Sequence, residues 1–524
     1  MKRRDFCKGL AVTFAAGTLA PAAALPQAGA ATALVGRAVP DDYYTLWYRS
    51  DRCGADLRHD YYYSDSLFDH PATEYDNQLA LATLGMAAAA DCTWESDQRY
   101  WMEGEVGRAD HIRDAFAKLG FTEVQLFNYT HSLNDTPDTV GCAIARKTPV
   151  RGGRQVTIIG AFLRGSGYGA EWSGNLHAGP GSAHVGFVTA ARQLVEKIRA
   201  YVQASAKRQP LGTLKLWMGG YSRGGGVANL VAARLPAVLP QLEKKNTFVY
   251  TFAAPASLTA ADCPDLQQDY DNNHAADGSL KKNWGTSNIF NIVSSGDVIP
   301  RILPAEWGFY RNGNDRFLPS TVIPEELQAL NDRSAGMEGT PMDFGRLAVS
   351  EETDAVLRSM LDLFCDRQTY YKGYEDAMRC MLQCATTRTE EEVTRGIVRD
   401  DAAVVAQLRS MELMQRFPQE KVERCVQAAS ALSRPVLEKL GSAVPLQAQQ
   451  IVIPMLAVGL CFELQPETVQ LVADFVLSTI TVKGQLSGIL KTVLCHFQEN
   501  YITVLEAYDP ADHGMTPYTR REEL

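Results

Sequence analysis

The sequence predicts an α/β fold in which a mostly parallel sheet is covered by helices and interrupted by a large helical insertion. Three observations carry this. Between about residues 150 and 300, short apolar runs alternate with amphipathic helical stretches. From about Leu303 to about Gln485 the alternation stops and helical patterns follow one another. Within the alternating part, LKLWMGGYSRGGGVANLVAARL (residues 214–235) reads as strand, tight turn and helix.

The chain opens with MKRRDFCKGLAVTFAAGTLAPAAALPQAGAATA, a basic cluster, an apolar stretch and a small-residue cleavage site at Ala28-Gly29-Ala30. Residues 1–30 are therefore expected to be an export signal, with an uncleaved anchor as the alternative. Arg3-Arg4-Asp5-Phe6 resembles the twin-arginine type, which points to a bacterial protein that is secreted or held in the cell envelope. Loss of Lys2, Arg3, Arg4 and Lys8 against Asp5 removes a net +3, taking the formal charge from −10 to −13. An acidic chain of this kind is not expected to bind nucleic acid. No transmembrane span is expected after signal removal, since the apolar stretch Ile451 to Leu464 is short and contains Pro454. The ten remaining cysteines form no C-x-x-C pairs, and only Cys380 and Cys384 lie one helical turn apart, so no zinc site is expected.

The elements follow in order. Helices are predicted over Tyr75 to Ala90 and Ala109 to Leu119, the second stopped by Gly120, then strands at Glu123 to Tyr129 and Val140 to Arg146. Val156 to Leu163 is a strand, Phe187 to Ala204 a helix, Leu214 to Gly219 a strand and Val227 to Leu235 a helix. Strands at Thr247 to Ala253 and Asn288 to Val293 complete a core expected to span residues 31–302. In the insertion, 303–485, Leu357, Met360, Leu361 and Phe364 share a face, as do Val422, Val426 and Ala429, with Pro435 and Pro445 as punctuation. Glu390-Glu391-Glu392 reads as a solvated helix start. Residues 486–524 return to the core.

In an open parallel sheet, ligands bind beyond the carboxyl ends of the strands. Three polar candidates lie there: Arg164-Gly165-Ser166 after VTIIGAFL, Ser222 in the tight turn, and Asp297 after NIFNIVSSG. A strand–turn–helix passage forces its serine into a strained, exposed position, with flanking glycines allowing strand and helix to approach. Acyl transfer by a serine needs a base, an acid to orient that base, and oxyanion donors. Asp297 supplies the acid. In the order nucleophile, acid, histidine, only His496 and His513 follow it.

Phe162-Leu163-Arg164-Gly165-Ser166 with Trp172 and Asn175, His184-Val185-Gly186-Phe187, the Ser222 turn, Tyr250-Thr251-Phe252-Ala253-Ala254-Pro255 and Asp297-Val298-Ile299-Pro300 together resemble the class 3, fungal-type lipases and their bacterial relatives. The resemblance implies an α/β-hydrolase fold and a serine hydrolase that cleaves carboxylic esters. It implies that Ser166 and the Arg223 N–H form the oxyanion site, that His184 is structural, and, through His496-Phe497-Gln498-Glu499-Asn500-Tyr501, that His496 rather than His513 is the base. His513 stays as the fallback. No metal or cofactor is expected. The partner is a small-molecule or lipid ester, with transient contact at a lipid interface allowed. The family's short amphipathic lid is not readable in Gly167 to Ser182; the insertion between Asp297 and His496 is expected to cap the site instead. Two alternatives stay open: a serine hydrolase for a non-lipid ester or peptide, and a catalytically silent lipase-like binding protein.

Overall fold

The computed structural model describes residues 38–318, except 51–54, 92–103, 106–108, 132–136, 167–168, 181–182, 260–285, 295–296, 298, 302, 304–306 and 308, together with residue 328 and residues 370–386, 395–441, 446–465 and 496–507. A hairpin of β1 (Asp42–Ser50) and β2 (Ala55–Tyr63) comes first, then α1 (Asn77–Ala89) and α2 (Asp110–Lys118). The core continues through β3 (Thr122–Phe127), β4 (Cys142–Lys147), β5 (Arg154–Leu163), the short α3 (Gly169–Gly174), α4 (Val185–Arg208), β6 (Thr213–Tyr221), α5 (Arg223–Val238), β7 (Thr247–Phe252), β8 (Ile289–Ser294) and β9 (Asn314–Leu318). These strands pair in the spatial order β9-β8-β7-β6-β5-β4-β3. Five of them, β5 to β9, are parallel, while β4 and β3 run antiparallel at one side. The mostly parallel sheet with flanking helices is the one the sequence predicts.

The central strands β4 to β8 are largely buried on both faces, so their alternation divides apolar side chains between two cores rather than between core and water. Trp217, Phe162, Phe248, Tyr250 and Phe252 point to the side of α1, α2 and the hairpin. Leu216, Met218, Ile159, Ala161 and Val249 point to the side of α4 and α5. Helix α1 reads NQLALATLGMAAA, apolar all round and buried along almost its whole length, which suits an element enclosed between sheet and hairpin. Asp76 caps it, accepting the Leu79 N–H at 2.7 Å.

The sheet extends further than the sequence suggests. Strand β9 lies within residues assigned above to the helical insertion, yet it pairs in parallel with β8. NDRFL carries no apolar alternation because its polar side chains are satisfied inside the protein. Asp315 takes a bidentate bond from Arg311, at 3.1 and 2.6 Å, and accepts from Asn291 at 2.9 Å. The helical region packs its own core. Helices α6 (Glu375–Thr386), α7 (Asp401–Ser410), α8 (Gln419–Leu440) and α9 (Leu446–Cys461) bring together Cys380, Cys384, Leu408, Val422, Val426, Ala429, Val458 and Cys461. Pro435 and Pro454 sit inside helices α8 and α9 and do not end them. Among the described residues no helix is long and apolar enough to cross a membrane. The expected signal segment, the Leu357 to Phe364 face, Glu390 to Glu392 and Pro445 lie outside the described residues.

Replacing Asp315 with alanine leaves the buried Arg311 guanidinium without its carboxylate, which is expected to destabilise the protein by about 3–5 kcal/mol. Removing Arg199, whose partner Glu196 is solvent-exposed, should change stability by less than about 1 kcal/mol. Urea unfolding midpoints of the two variants, measured side by side, check this ordering.

Candidate active site

Strand β6 ends at Tyr221 and helix α5 begins at Arg223, so Ser222 makes the whole turn between them. It does so at φ 54° and ψ −125°, a region that non-glycine residues occupy at a cost of about 1–3 kcal/mol. The Ser222 N–H donates to the Phe252 carbonyl at 2.9 Å, which ties the turn to the neighbouring strand end. Glycine is required on both sides. A Cβ on Gly220 would lie 2.4 Å from the Gly224 carbonyl oxygen, and one on Gly224 would lie 2.5 Å from that of Leu163.

His496 stands just before α10 (Gln498–Ala507). Its Nε2 is 3.0 Å from Ser222 Oγ, and its Nδ1 is 2.9 and 3.0 Å from the two carboxylate oxygens of Asp297. Asp297 is fully buried, and three donors surround it: the imidazole, the Tyr501 hydroxyl at 2.8 Å and the Ile299 N–H at 2.9 Å. Tyr501, one turn into α10, in turn accepts the Ser294 N–H at 3.1 Å, which links the histidine helix to the end of β8. The Tyr221 hydroxyl donates to the His496 carbonyl. The hairpin and α1 hold the same helix from the other side, through Ser50 to Glu499, His59 to Glu506, and Asn77 Nδ2 to the Leu505 carbonyl at 3.1 Å.

The side of the site at Ser166 is equally well braced. Ser166 Oγ accepts the Asn175 Nδ2–H at 3.0 Å, which engages a lone pair and turns the hydroxyl proton elsewhere. Asn175 is held in that orientation because its Oδ1 accepts from Arg223 Nη1 at 2.7 Å, and an arginine can only donate. The Arg223 backbone N–H belongs to the first residue of α5, at the positive end of the helix dipole. Arg164 and Glu171 form a buried bidentate pair at 2.7 and 3.1 Å, fixing the short α3 against the end of β5. This short helix lies in the glycine-rich segment where the sequence shows no amphipathic lid, and its Glu171 partners the buried Arg164 charge.

His184 lies apart from Ser222 and caps α4. Its Nδ1 accepts the Phe187 N–H at 3.3 Å and its Nε2–H donates to the Asn175 carbonyl at 3.0 Å. Burial, with the nearby Arg223 charge, lowers its pKa to about 3. It is therefore a neutral structural residue. His513 lies outside the described residues. The sequence carried no signal for Asp91, whose carboxylate accepts the Gly165 N–H at 2.7 Å beside Ser222, nor for the bracing hydroxyl of Tyr221.

A parallel sheet with a strained serine at a strand–turn–helix passage, and a histidine hydrogen-bonded to it from a C-terminal segment, defines an α/β-hydrolase. Residues 166–307 match the family model of lipase (class 3), which supports a carboxylic ester hydrolase of the lipase type. The matched segment holds Ser166, Ser222 and Asp297, while His496 lies beyond it. Among solved structures, a triacylglycerol lipase described as having a serine-protease triad is similar at 20% identity, over 46% of this chain and 79% of that one, with a TM-score of 0.32. The Rhizomucor miehei lipase propeptide complex aligns at 20% identity over 46% and 68%, TM-score 0.30. The lipase from Rhizopus microsporus var. chinensis aligns at 16% over 49% and 75%, TM-score 0.30. No curated protein matches.

Two outcomes test this construction. Gly224→Ala is expected to destabilise the protein by about 1–3 kcal/mol, because the added methyl meets the Leu163 and Arg164 backbone at the end of β5; the urea midpoint reports it. His184 stays neutral in the folded protein below pH 6.5 while the unfolded chain takes up its proton, so its contribution lowers stability as pH falls from about 6.5 to about 3. His184→Asn, which retains a capping side chain, should flatten the pH dependence of the unfolding midpoint across that window.

Proposed function

We propose that the protein is an exported serine hydrolase that cleaves carboxylic esters through an acyl-enzyme. Ser222 Oγ attacks the ester carbonyl carbon while His496 Nε2 takes its proton, and Asp297 stabilises the imidazolium that results. The tetrahedral oxyanion is met by Ser166 and the Arg223 N–H. Collapse expels the alkoxide, which receives the proton from His496, and water then repeats the sequence to release the acid. The observation that carries this reading is the unbroken hydrogen-bond line from Ser222 Oγ through His496 to Asp297, at 3.0 and 2.9 Å. A silent binding protein has no need of these three side chains in register. Export rests on the N-terminal residues alone.

A narrower substrate range is favoured by one feature of the helical region. Glu375 of α6 accepts the Gly179 N–H at 2.9 Å, and Tyr370 donates to the Leu176 carbonyl at 2.9 Å, fastening that region to the chain just beyond Ser166. A region fastened beside the site in this way suits short or soluble esters over long acyl chains.

A fluorophosphonate should label the folded protein at Ser222 and fail on Ser222→Ala; absence of labelling on the native chain sinks the enzyme reading. Asp297→Asn should lower kcat about 10⁴-fold with KM little changed, because the imidazole loses its orientation. Rates along a p-nitrophenyl ester series decide chain length, and a maximum at long chains would overturn the short-ester reading.

A further inference from the structure

Asp91 follows the C-terminus of α1 and reaches the space between the two halves of the site. One carboxylate oxygen accepts the Gly165 N–H at 2.7 Å, on the residue immediately before Ser166. The other accepts the side-chain amide of Gln498, two residues after His496. Gly165 also faces the nucleophile, since a Cβ placed on it would lie 3.4 Å from Asp91 Oδ1 and 3.8 Å from Ser222 Cβ. The delivery of this carboxylate is rigid. Helix α1 is apolar and enclosed, its last turn is closed by the Ala90 N–H to the Met86 carbonyl at 3.0 Å, and the Tyr129 hydroxyl donates to the Ala90 carbonyl at 2.6 Å.

Resting on the hydrolase reading above, we propose that Asp91 is a positioning residue of the reaction: a single carboxylate that ties the oxyanion turn to the histidine segment, and so sets the distance between the group that receives the oxyanion and the group that moves the proton. It touches no reacting atom. Its effect passes through the Gly165–Ser166 peptide on one side and Gln498 on the other. The neighbouring contacts do not duplicate it. Ser166 is braced through Asn175 to Arg223, and His496 through Tyr221 and Asp297, whereas Asp91 bonds to both sides at once.

The protonation state of this carboxyl matters to the link. Burial raises its pKa to about 6, opposed by the Gly165 N–H, by the Arg164 guanidinium at the end of β5, and by Gln498 and His496 from the C-terminal segment. The Tyr221 hydroxyl faces it from β6. An ionised acceptor makes hydrogen bonds about twice as strong as a neutral one, so the tie is tight above about pH 6 and slackens below it. The sign for stability is opposite. With the folded pKa above the unfolded value of 3.8, ionising Asp91 as pH rises through that interval costs the folded state stability. A residue kept for packing alone would not show this opposition between activity and stability.

The test compares wild type with Asp91→Asn by the pH dependence of kcat and KM on a p-nitrophenyl ester, alongside fluorophosphonate labelling and unfolding midpoints. The expected result for Asp91→Asn is a fall in kcat of about 10- to 100-fold with KM within about twofold, less than the loss of a whole oxyanion donor. Its unfolding midpoint at pH 8 should equal or exceed that of wild type. The acid limb of wild-type kcat should reflect two ionisations, falling with a slope approaching two, and that of Asp91→Asn only one. Unchanged kcat, or a KM effect with kcat intact, overturns the positioning role. Should the variant fail to fold, Gln498→Ala, which removes the bond from Asp91 to the histidine segment, decides by itself, since an unchanged kcat leaves no place for the tie. Failure of wild type to label at Ser222 is a separate outcome, which removes the hydrolase reading and this inference with it.

Discussion

Everything in the site is organised around the turn at Ser222. A non-glycine residue held at φ 54° is unfavourable by itself, and it persists because β6 and α5 fix its two ends and Phe252 holds its N–H. The turn can exist only where backbone approaches backbone, and the carbonyls of Leu163, Arg164 and Gly220 all crowd the glycines beside it. That crowding sets the spacing of the end of β5 from the end of β6. The strain is thus borne by the sheet, and the same contact brings Gly165 alongside Ser222.

Around that fixed point the remaining groups arrive from distant parts of the chain, and each is held by more than one bond. Asp297 comes from the end of β8 and is enclosed by donors from His496, Tyr501 and its own turn. His496 accepts the Tyr221 hydroxyl at its carbonyl, and the helix that follows it is held by the N-terminal hairpin and α1 through Glu499, Glu506 and Leu505. A buried polar network of this kind is stable only when fully satisfied, and satisfaction here requires side chains from both ends of the sequence. The hairpin lies outside the main sheet, and its bonds to α10 give it a direct bearing on the position of the histidine.

The class 3 lipase match covers the part of the chain in which these relations are local, from Ser166 through the turn to Asp297. Beyond it the helical region has its own core and reaches back to the hydrolase part through Glu375 and Tyr370.

The sequence by itself determined the elements whose apolar periodicity is strong: helices α1, α2, α4 and α5, the strands β5 to β8, and the turn that exposes Ser222. Residue order and strand ends pointed to Asp297 and left His496 and His513 as the histidines that follow it, and only the resemblance to class 3 lipases favoured His496. The sequence did not reveal β9 or α3, where polar side chains are buried against partners far off in the chain, so that local pattern reads as loop. Nor could it reveal Asp91, an aspartate at the end of an alanine-rich helix, whose importance lies only in what folds against it. Tertiary structure decided these, since a hydrogen bond between residues hundreds of positions apart leaves no trace in the spacing of either one.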